Sequence, residues 1–170
     1  MADILGLVVS LLDTNWNAGN TDGLKPSIKK IMLADKTLDL QISDQVLVYA
    51  IDYLTAPAGL GATQKATTDD ISIDIRVAGS DQETQGRTHA VKVRDEVERI
   101  LDSSILNPFS GYDLLTPMSV KDFSDKFKSL HRFVFDVKIQ RISTARGVAT
   151  GPDPSGPGEF GTLVKILLPP

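Results

Sequence analysis

Apolar and polar residues alternate in two segments of this chain, and the alternation predicts two β-strands. The downstream strand follows a charged turn at residues 120–126. Its apolar set is Phe133, Phe135, Val137 and Ile139, and its polar set is Arg132, Asp136, Lys138 and Gln140. In the upstream strand the apolar set is Ile71, Ile73, Ile75 and Val77, and the polar set is Ser72, Asp74 and Arg76. A period of two buries one face of each strand and leaves the other exposed or facing a neighbouring subunit.

Two other segments have helical spacing. Asp3 is a good N-cap for a first helix that we expect to end near Trp16. A second helix, lying between the two alternating strands, is predicted over residues 85–102, with an apolar stripe of Ala90, Val93, Val97, Ile100 and Leu101. Its charged residues are spaced for two ion pairs, Lys92 with Glu96 and Asp95 with Arg99.

The remaining segments complete the predicted fold. Residues 25–33 are expected to be extended, and residues 44–51 to form a strand that is covered on both faces. Residues 56–66 form a loop of small residues that links two strands as a hairpin, and residues 109–118 bridge to the charged turn. The predicted class is α+β, with a mixed or antiparallel sheet flanked by two main helices in one domain, residues 1–144.

The composition changes abruptly towards the C-terminus. Residues 147–161 hold five glycines and three prolines, which is typical of a flexible linker. An apolar run follows it, formed by Leu163, Val164, Ile166, Leu167 and Leu168. We therefore predict an extended arm over residues 145–170. It either docks on a neighbouring subunit or folds back as a strand of its own sheet.

Length and charge narrow the functional classes. A chain of 170 residues fits one domain, and 41% hydrophobic residues are ordinary for a globular protein. The net charge is −4 and no basic run is present, which argues against gripping nucleic acid through its phosphates. The apolar run near the N-terminus is too short to span a bilayer, so we expect synthesis in the cytoplasm and no membrane partner.

Candidate chemistry is sparse. The chain has no cysteine, and neither His89 nor His131 has a metal-type residue at ligand spacing, so His89 is interpreted as a solvent-facing or interface residue. Gly59-Leu60-Gly61 followed by Lys65 fails the spacing of a phosphate-binding loop.

The carboxylates and potential nucleophiles do not indicate a catalytic site. Asp69 and Asp70 are expected at the solvated start of a strand, and no nucleophile has a recognisable base. We expect no cofactor and no enzymatic activity. A small-ligand enzyme remains an alternative, which a deep apolar cleft with convergent polar groups would favour.

Four segments in this order resemble a known family. They are an N-terminal helix closing on Asn15-Trp16, the strand at residues 72–76, the helix at residues 93–101, and the charged turn at residues 122–126 that leads to the strand at residues 131–137. The chain resembles, over residues 3–143, the tail terminator (tail completion) proteins of long-tailed viruses of bacteria and archaea.

This resemblance implies a virion protein. It implies a ring of six subunits on the head-proximal end of the tail tube, which stops tube growth and joins the tail to the head or neck. Its partners would be the tail tube protein and head-completion or connector proteins, and DNA would pass through the lumen without specific binding. The segment after Ala145 is not part of the resemblance. Because of this segment, two alternative functions stay open: another ring-forming head-tail connector, and the tail tube protein itself.

Three sets of residues are the candidates for assembly. The polar strand faces are expected to carry contacts between subunits or rings through Asp74, Arg76, Arg132 and Lys138. The loop residues Gly59, Leu60, Gly61 and Lys65 are expected to face the lumen or the adjoining ring. The apolar arm is the third set. Charge reversal at Arg76 or Arg132 is therefore expected to block tail joining while leaving the circular dichroism and melting of the subunit nearly unchanged.

Overall fold

The structure is a computed structural model that describes residues 3–32, 44–58, 64–78, 83–124 and 130–144. The first half contains helix α1 (Ile4–Asn15), a 3₁₀ turn (Ala18–Thr21), and strands β1 (Ser27–Lys30), β2 (Gln45–Ala58) and β3 (Gln64–Ala78). The second half contains helix α2 (Glu83–Ser103) and strands β4 (Leu106–Phe109), β5 (Tyr112–Asp122) and β6 (Leu130–Thr144). The α+β class with a mixed sheet and two helices is confirmed.

The six strands form one sheet in the order β1-β2-β3-β6-β5-β4. Only β1 and β2 are parallel, and every other neighbouring pair is antiparallel. Strand β3 lies near the centre and pairs with β6 along its whole length, from Gln64 opposite Thr144 to Ala78 opposite Leu130. The two strands that were predicted from alternation are therefore direct neighbours.

Helices α1 and α2 pack on one face of this sheet, which we call the helix face. The residues of both predicted apolar sets are buried there, together with Val46 and Val48 of β2 and the whole predicted stripe of α2. Leu47 and Tyr49 are buried on the opposite face, so the prediction that the 44–51 strand is covered on both sides is confirmed. Apolar burial of this kind stabilises the fold by about 25 cal/mol per Å².

The ends of the predicted helices are close to those observed. The Asp3 carboxylate accepts a hydrogen bond from the Gly6 amide at 3.2 Å, and Trp16 is the C-cap of α1. Helix α2 extends one or two residues beyond the predicted 85–102 at each end. The expected N-cap is confirmed because a carboxylate satisfies an amide that has no partner inside the helix.

Two elements differ from the prediction. Strands β2 and β3 continue into the expected 56–66 loop, with Ala56 opposite Ala66 and Ala58 opposite Gln64, so the hairpin is confirmed but its loop is shorter. Residues 109–118 are not a bridge, because most of them belong to β5. A tight turn with Gly111 at φ 83° joins β5 to β4. Gly59, Leu60 and Gly61 lie outside the described residues, as does the arm after residue 144.

Candidate assembly surface

The face of the sheet opposite the helices, which we call the polar face, carries a buried charge cluster. Asp74 is 0% exposed and accepts hydrogen bonds from two arginines. Arg132 donates from Nε to Oδ1 and from Nη2 to Oδ2, both at 2.8 Å. Arg76 donates from Nε and Nη2 to Oδ2 at 3.2 and 2.9 Å. Because Arg76 and Arg132 lie directly opposite each other in the sheet, the carboxylate between them offsets their repulsion.

This cluster corrects the expectation that the polar strand faces are accessible. Asp74 and Arg76 are buried within the subunit, and Arg132 is half-buried with its guanidinium 5.6 Å from the centre of the Phe123 ring. The hydrogen bonds to Asp74 raise the pKa of Arg132. Of the four candidate interface residues, Lys138 is the most accessible. Charge reversal at either arginine is therefore expected to destabilise the fold, because it places a second negative charge beside the buried Asp74 carboxylate.

A second cluster on the polar face centres on Asp136. Its carboxylate accepts hydrogen bonds from Ser72 Oγ at 3.1 Å, Ser119 Oγ at 2.9 Å and Lys121 Nζ at 2.8 Å. Burial alone would raise the pKa of Asp136, but these three donors lower it below its usual range. The cluster ties β3, β5 and β6 together through side chains.

Two β-bulges border a cleft on the same face. The pairing shifts between Ala50 and Asp52 in β2 and between Pro117 and Ser119 in β5, which leaves Ile51 and Met118 as the extra residues. The cleft has a volume of 410 Å³, and the described residues that line it are Ile51, Asp70, Ile71, Met118, Ser119, Lys121, Asp136, Val137 and Lys138. Bulges re-aim side chains in this way at functional surfaces.

Asp70 in this cleft is weakly paired. Its nearest cation is Lys138 Nζ, 3.9 Å from Oδ1, and Oδ1 has no hydrogen-bond donor among the described residues. Asp69 and Asp70 were expected at the solvated start of a strand, but both lie in the middle of β3. Burial raises the pKa of Asp69, which points to the helix face.

The far ends of β2, β3 and β6 form a three-stranded extension with an apolar patch. Leu54 of β2 and Ile142 of β6 are 63% and 55% exposed on the polar face, with Ala56 and Ala66 between them in register. Lys65 lies on β3 in the same extension and is exposed. Residues 59–63, which connect β2 to β3, lie outside the described residues.

Sequence reasoning missed a buried carboxylate on α2. Glu96 is 2% exposed and accepts hydrogen bonds from the Asn17 amide at 2.8 Å, Asn20 Nδ2 at 2.6 Å and Arg99 at 2.6 and 2.9 Å. The predicted pairs of Lys92 with Glu96 and of Asp95 with Arg99 are both wrong.

The other two members of the predicted pairs, Lys92 and Asp95, have other partners. Lys92 pairs with Asp22, and Asp95 pairs with Arg94. The 3₁₀ turn covers this part of α2 and supplies the donors to Glu96. Helical spacing alone cannot indicate such a cover.

His89 is not solvent-facing either. Its Nε2 lies 2.8 Å from Asp44 Oδ2, and its Nδ1 lies 3.5 Å from Asp22 Oδ2. The imidazole thus links α2 to the residue before β2 and to the turn after the 3₁₀ segment. Both carboxylates are far from His89 in sequence, so no local pattern indicates them.

No protein-family model matches this chain, and no curated protein matches it in sequence. The functional inference therefore rests on the residues, their geometry and the resemblance described above.

Two further findings concern the described residues only. Within the described ranges, no three or more His, Cys, Asp or Glu side chains are grouped to hold a metal ion. None of the helices in that part of the chain is long and apolar enough to cross a membrane.

Proposed function

We propose that this protein is a virion structural protein that forms a ring of six subunits at the head-proximal end of a viral tail tube. There it stops tube growth and joins the tail to the head or neck. The observation that carries the proposal is the resemblance over residues 3–143 to tail terminator proteins. The four resembling segments belong to α1, β3, α2 and the β5–β6 connection with β6.

The distribution of exposed apolar residues supports assembly into a closed ring. A ring needs two different surfaces on each subunit, because each copy contacts its two neighbours head to tail. One candidate surface is the apolar patch of the extension, Leu54 and Ile142. Another lies at the end of β5 and directly after it, where Val120 and Phe123 are exposed. These surfaces lie on different strands and are not copies of one another.

The charge pattern agrees with a ring through which DNA passes without specific binding. On the polar face Lys121 pairs with Asp136, and both arginines pair with Asp74. These three cations and two carboxylates leave one positive charge, which is little for binding phosphate groups, and the net charge of −4 of the chain opposes such binding.

The direct test mixes the purified protein with tail tube subunits while the tubes grow. We expect short, capped tubes, and native mass spectrometry of the capped ends should give six copies of this chain. Continued elongation with this chain incorporated would identify a tube protein instead. A stoichiometry other than six or its multiples at the tail end would contradict the proposed ring.

A pair of variants tests the apolar patch within the same assay. Leu54→Lys should weaken capping and tail joining while leaving the circular dichroism spectrum unchanged, because Leu54 is exposed in the subunit. Leu24→Lys is the matched control, since Leu24 is 57% exposed but precedes β1, outside the β2–β3–β6 extension. If both variants cap tubes equally well, the apolar patch is not part of the interface.

A further inference from the structure

We propose that the cleft on the polar face binds the C-terminal segment of this same chain, residues 163–168, with Lys165 paired to Asp70. This docking is independent of tail joining, so it can be tested on the protein alone. The proposed occupant of the cleft has the sequence Leu-Val-Lys-Ile-Leu-Leu.

The charges of the cleft match a segment with one cation. Asp136 accepts hydrogen bonds from three donors, whereas the one cation near Asp70 among the described residues is Lys138, with Nζ at 3.9 Å. The Asp70 side chain is 34% exposed, so its accessible part can accept a further cation. Lys165 is the one charged residue in the 163–168 segment. A charge-assisted hydrogen bond from its ammonium group to the accessible part of the Asp70 carboxylate would pair the two charges.

The walls of the cleft match the apolar side chains of the segment. Ile51 and Met118 are both exposed because the bulges turn them outward on either side of the cleft. Five of the six residues of the segment are Leu, Val or Ile. Covering both sets of side chains removes apolar area from water at about 25 cal/mol per Å². Met suits such a wall because its unbranched side chain adapts to different partners.

The cleft is a better site for the segment than an edge of the sheet. On the outer edge of β2, the Tyr53 amide already donates to the Asp52 carboxylate at 2.7 Å, and Pro57 has no N–H to donate. On β5, Pro117 and the adjacent bulge interrupt the edge in the same way. Prolines, bulges and charged residues on an edge strand oppose strand addition. Docking through side chains is not affected by them.

The linker is long enough for this docking. Strand β6 ends at Thr144, and Lys138 in the cleft lies six residues earlier on the same strand. A return over that distance needs roughly 20 Å at about 3.3 Å per residue. Residues 145–162 can span much more than this, so the segment can reach the cleft of its own subunit or that of a neighbour.

Disulfide trapping in the full-length protein tests the proposal, because the chain has no cysteine of its own. Met118→Cys combined with Leu167→Cys is oxidised under mild conditions and followed on non-reducing gels and by mass spectrometry. Asp95→Cys combined with Leu167→Cys is the control, since Asp95 is exposed on α2 and helices α1 and α2 pack on the other face of the sheet. We expect the cleft pair to cross-link about tenfold faster, because docking raises the effective concentration of the segment.

Charge exchange gives a second readout of the same contact. Asp70→Lys should slow cross-linking of the cleft pair, and adding Lys165→Asp should restore it. A product at the mass of one chain identifies docking in the same subunit, and a product at twice that mass identifies a neighbouring copy; both support the proposal. Equal cross-linking rates for the cleft and control pairs would overturn it. An unchanged rate in Asp70→Lys would overturn the pairing with Lys165.

Discussion

Glu96 is the buried carboxylate that ties the 3₁₀ turn and the end of α1 to α2. Arg99, which donates to it, also donates from Nη2 to the Asn15 carbonyl at 2.8 Å. Burial alone would raise the pKa of Glu96, yet hydrogen bonds from Arg99, Asn20 and the Asn17 amide lower it from 4.5 to about 2. The charged form is therefore stabilised in the folded state, and its contribution is present above pH 4.5 and is lost as the pH falls towards 2.

Replacing Glu96→Gln should thus lower the free energy of unfolding at pH 7 by about 1.5–3 kcal/mol, the usual worth of hydrogen bonds to a charged group. The difference between the variant and the wild type should shrink as the pH is lowered from 4.5 towards 2. Urea denaturation at several pH values measures both effects. Glu98→Gln, an exposed position on the same helix, is the control and should change little. A constant difference at all pH values would contradict the role of the charge.

Replacing Arg132 should destabilise the fold, whereas its position in the polar set of its strand predicted that the fold would stay intact. Arg132→Met should lower the free energy of unfolding by about 3 kcal/mol, because it leaves the buried Asp74 carboxylate with one arginine. Lys138→Met is the matched control on the same strand face, with a single contact at 3.9 Å, and should change stability by less than about 1 kcal/mol. Equal effects in thermal and urea unfolding would mean that Asp74 does not depend on Arg132.

At the scale of residues, the sequence predicts on which face of the sheet a side chain lies, but not whether that side chain is buried. Asp74 and Arg132 have the parity that places them opposite the apolar set, as predicted, yet alternation cannot distinguish a solvated polar face from a buried ion cluster. The same holds for Glu96, whose cover comes from a turn that lies far away in sequence. Partners that are distant in sequence leave no local signal.

At the scale of elements, the hairpin of β2 and β3 makes a specific prediction about its loop. Both strands remain paired up to Ala58 and Gln64, so the fold does not need residues 59–63. Replacing them by Asn-Gly, which favours a two-residue hairpin turn, should leave the circular dichroism spectrum and the thermal midpoint nearly unchanged. If the loop faces the adjoining ring, the same variant should join tails poorly. A variant that joins tails at the wild-type level would exclude that role.

The elements that were predicted correctly have strong local patterns, whereas strands β4 and β5, which were not predicted, do not. Helices α1 and α2 and strands β3 and β6 show clear periods of 3.6 or two residues. Strand β5 contains Pro117 and a bulge at Met118, so its alternation breaks in the middle. The ends of β2 and β3 are rich in Ala and Thr, which are typical of loops as well as edges. Pairing with a neighbouring strand, rather than intrinsic propensity, decides their structure.

At the scale of the molecule, the helices and strands supply a continuous core. Among the described residues, every member of the hydrophobic core cluster lies in α1, α2 or the six strands, and the last is Ile139. Truncation after Ala145 should therefore give a folded protein with the circular dichroism spectrum of the full chain, and its free energy of unfolding should fall only by the contribution of the docked segment, about 1–2 kcal/mol. Assembly with tubes should be weaker if the arm contributes to it. An unfolded truncation product would show that the arm completes the core.

The pairing of β3 with β6 also has a kinetic consequence. The β2–β3 hairpin and the β4–β5–β6 meander each join strands that are neighbours in sequence. In contrast, all 15 residues of β3 pair with β6, which comes after α2 in the sequence. Closing this long connection costs chain entropy before contacts compensate for it, so we expect the two halves to form first and to meet in the rate-limiting step. Ile73→Val on β3 should then slow refolding in denaturant-jump experiments, because its contacts with β6 form in the rate-limiting step. A variant that folds at the wild-type rate and only unfolds faster would contradict this order. During synthesis, β3 would leave the ribosome long before its partner, so the nascent N-terminal half would expose the sheet edge most prone to pair with another chain.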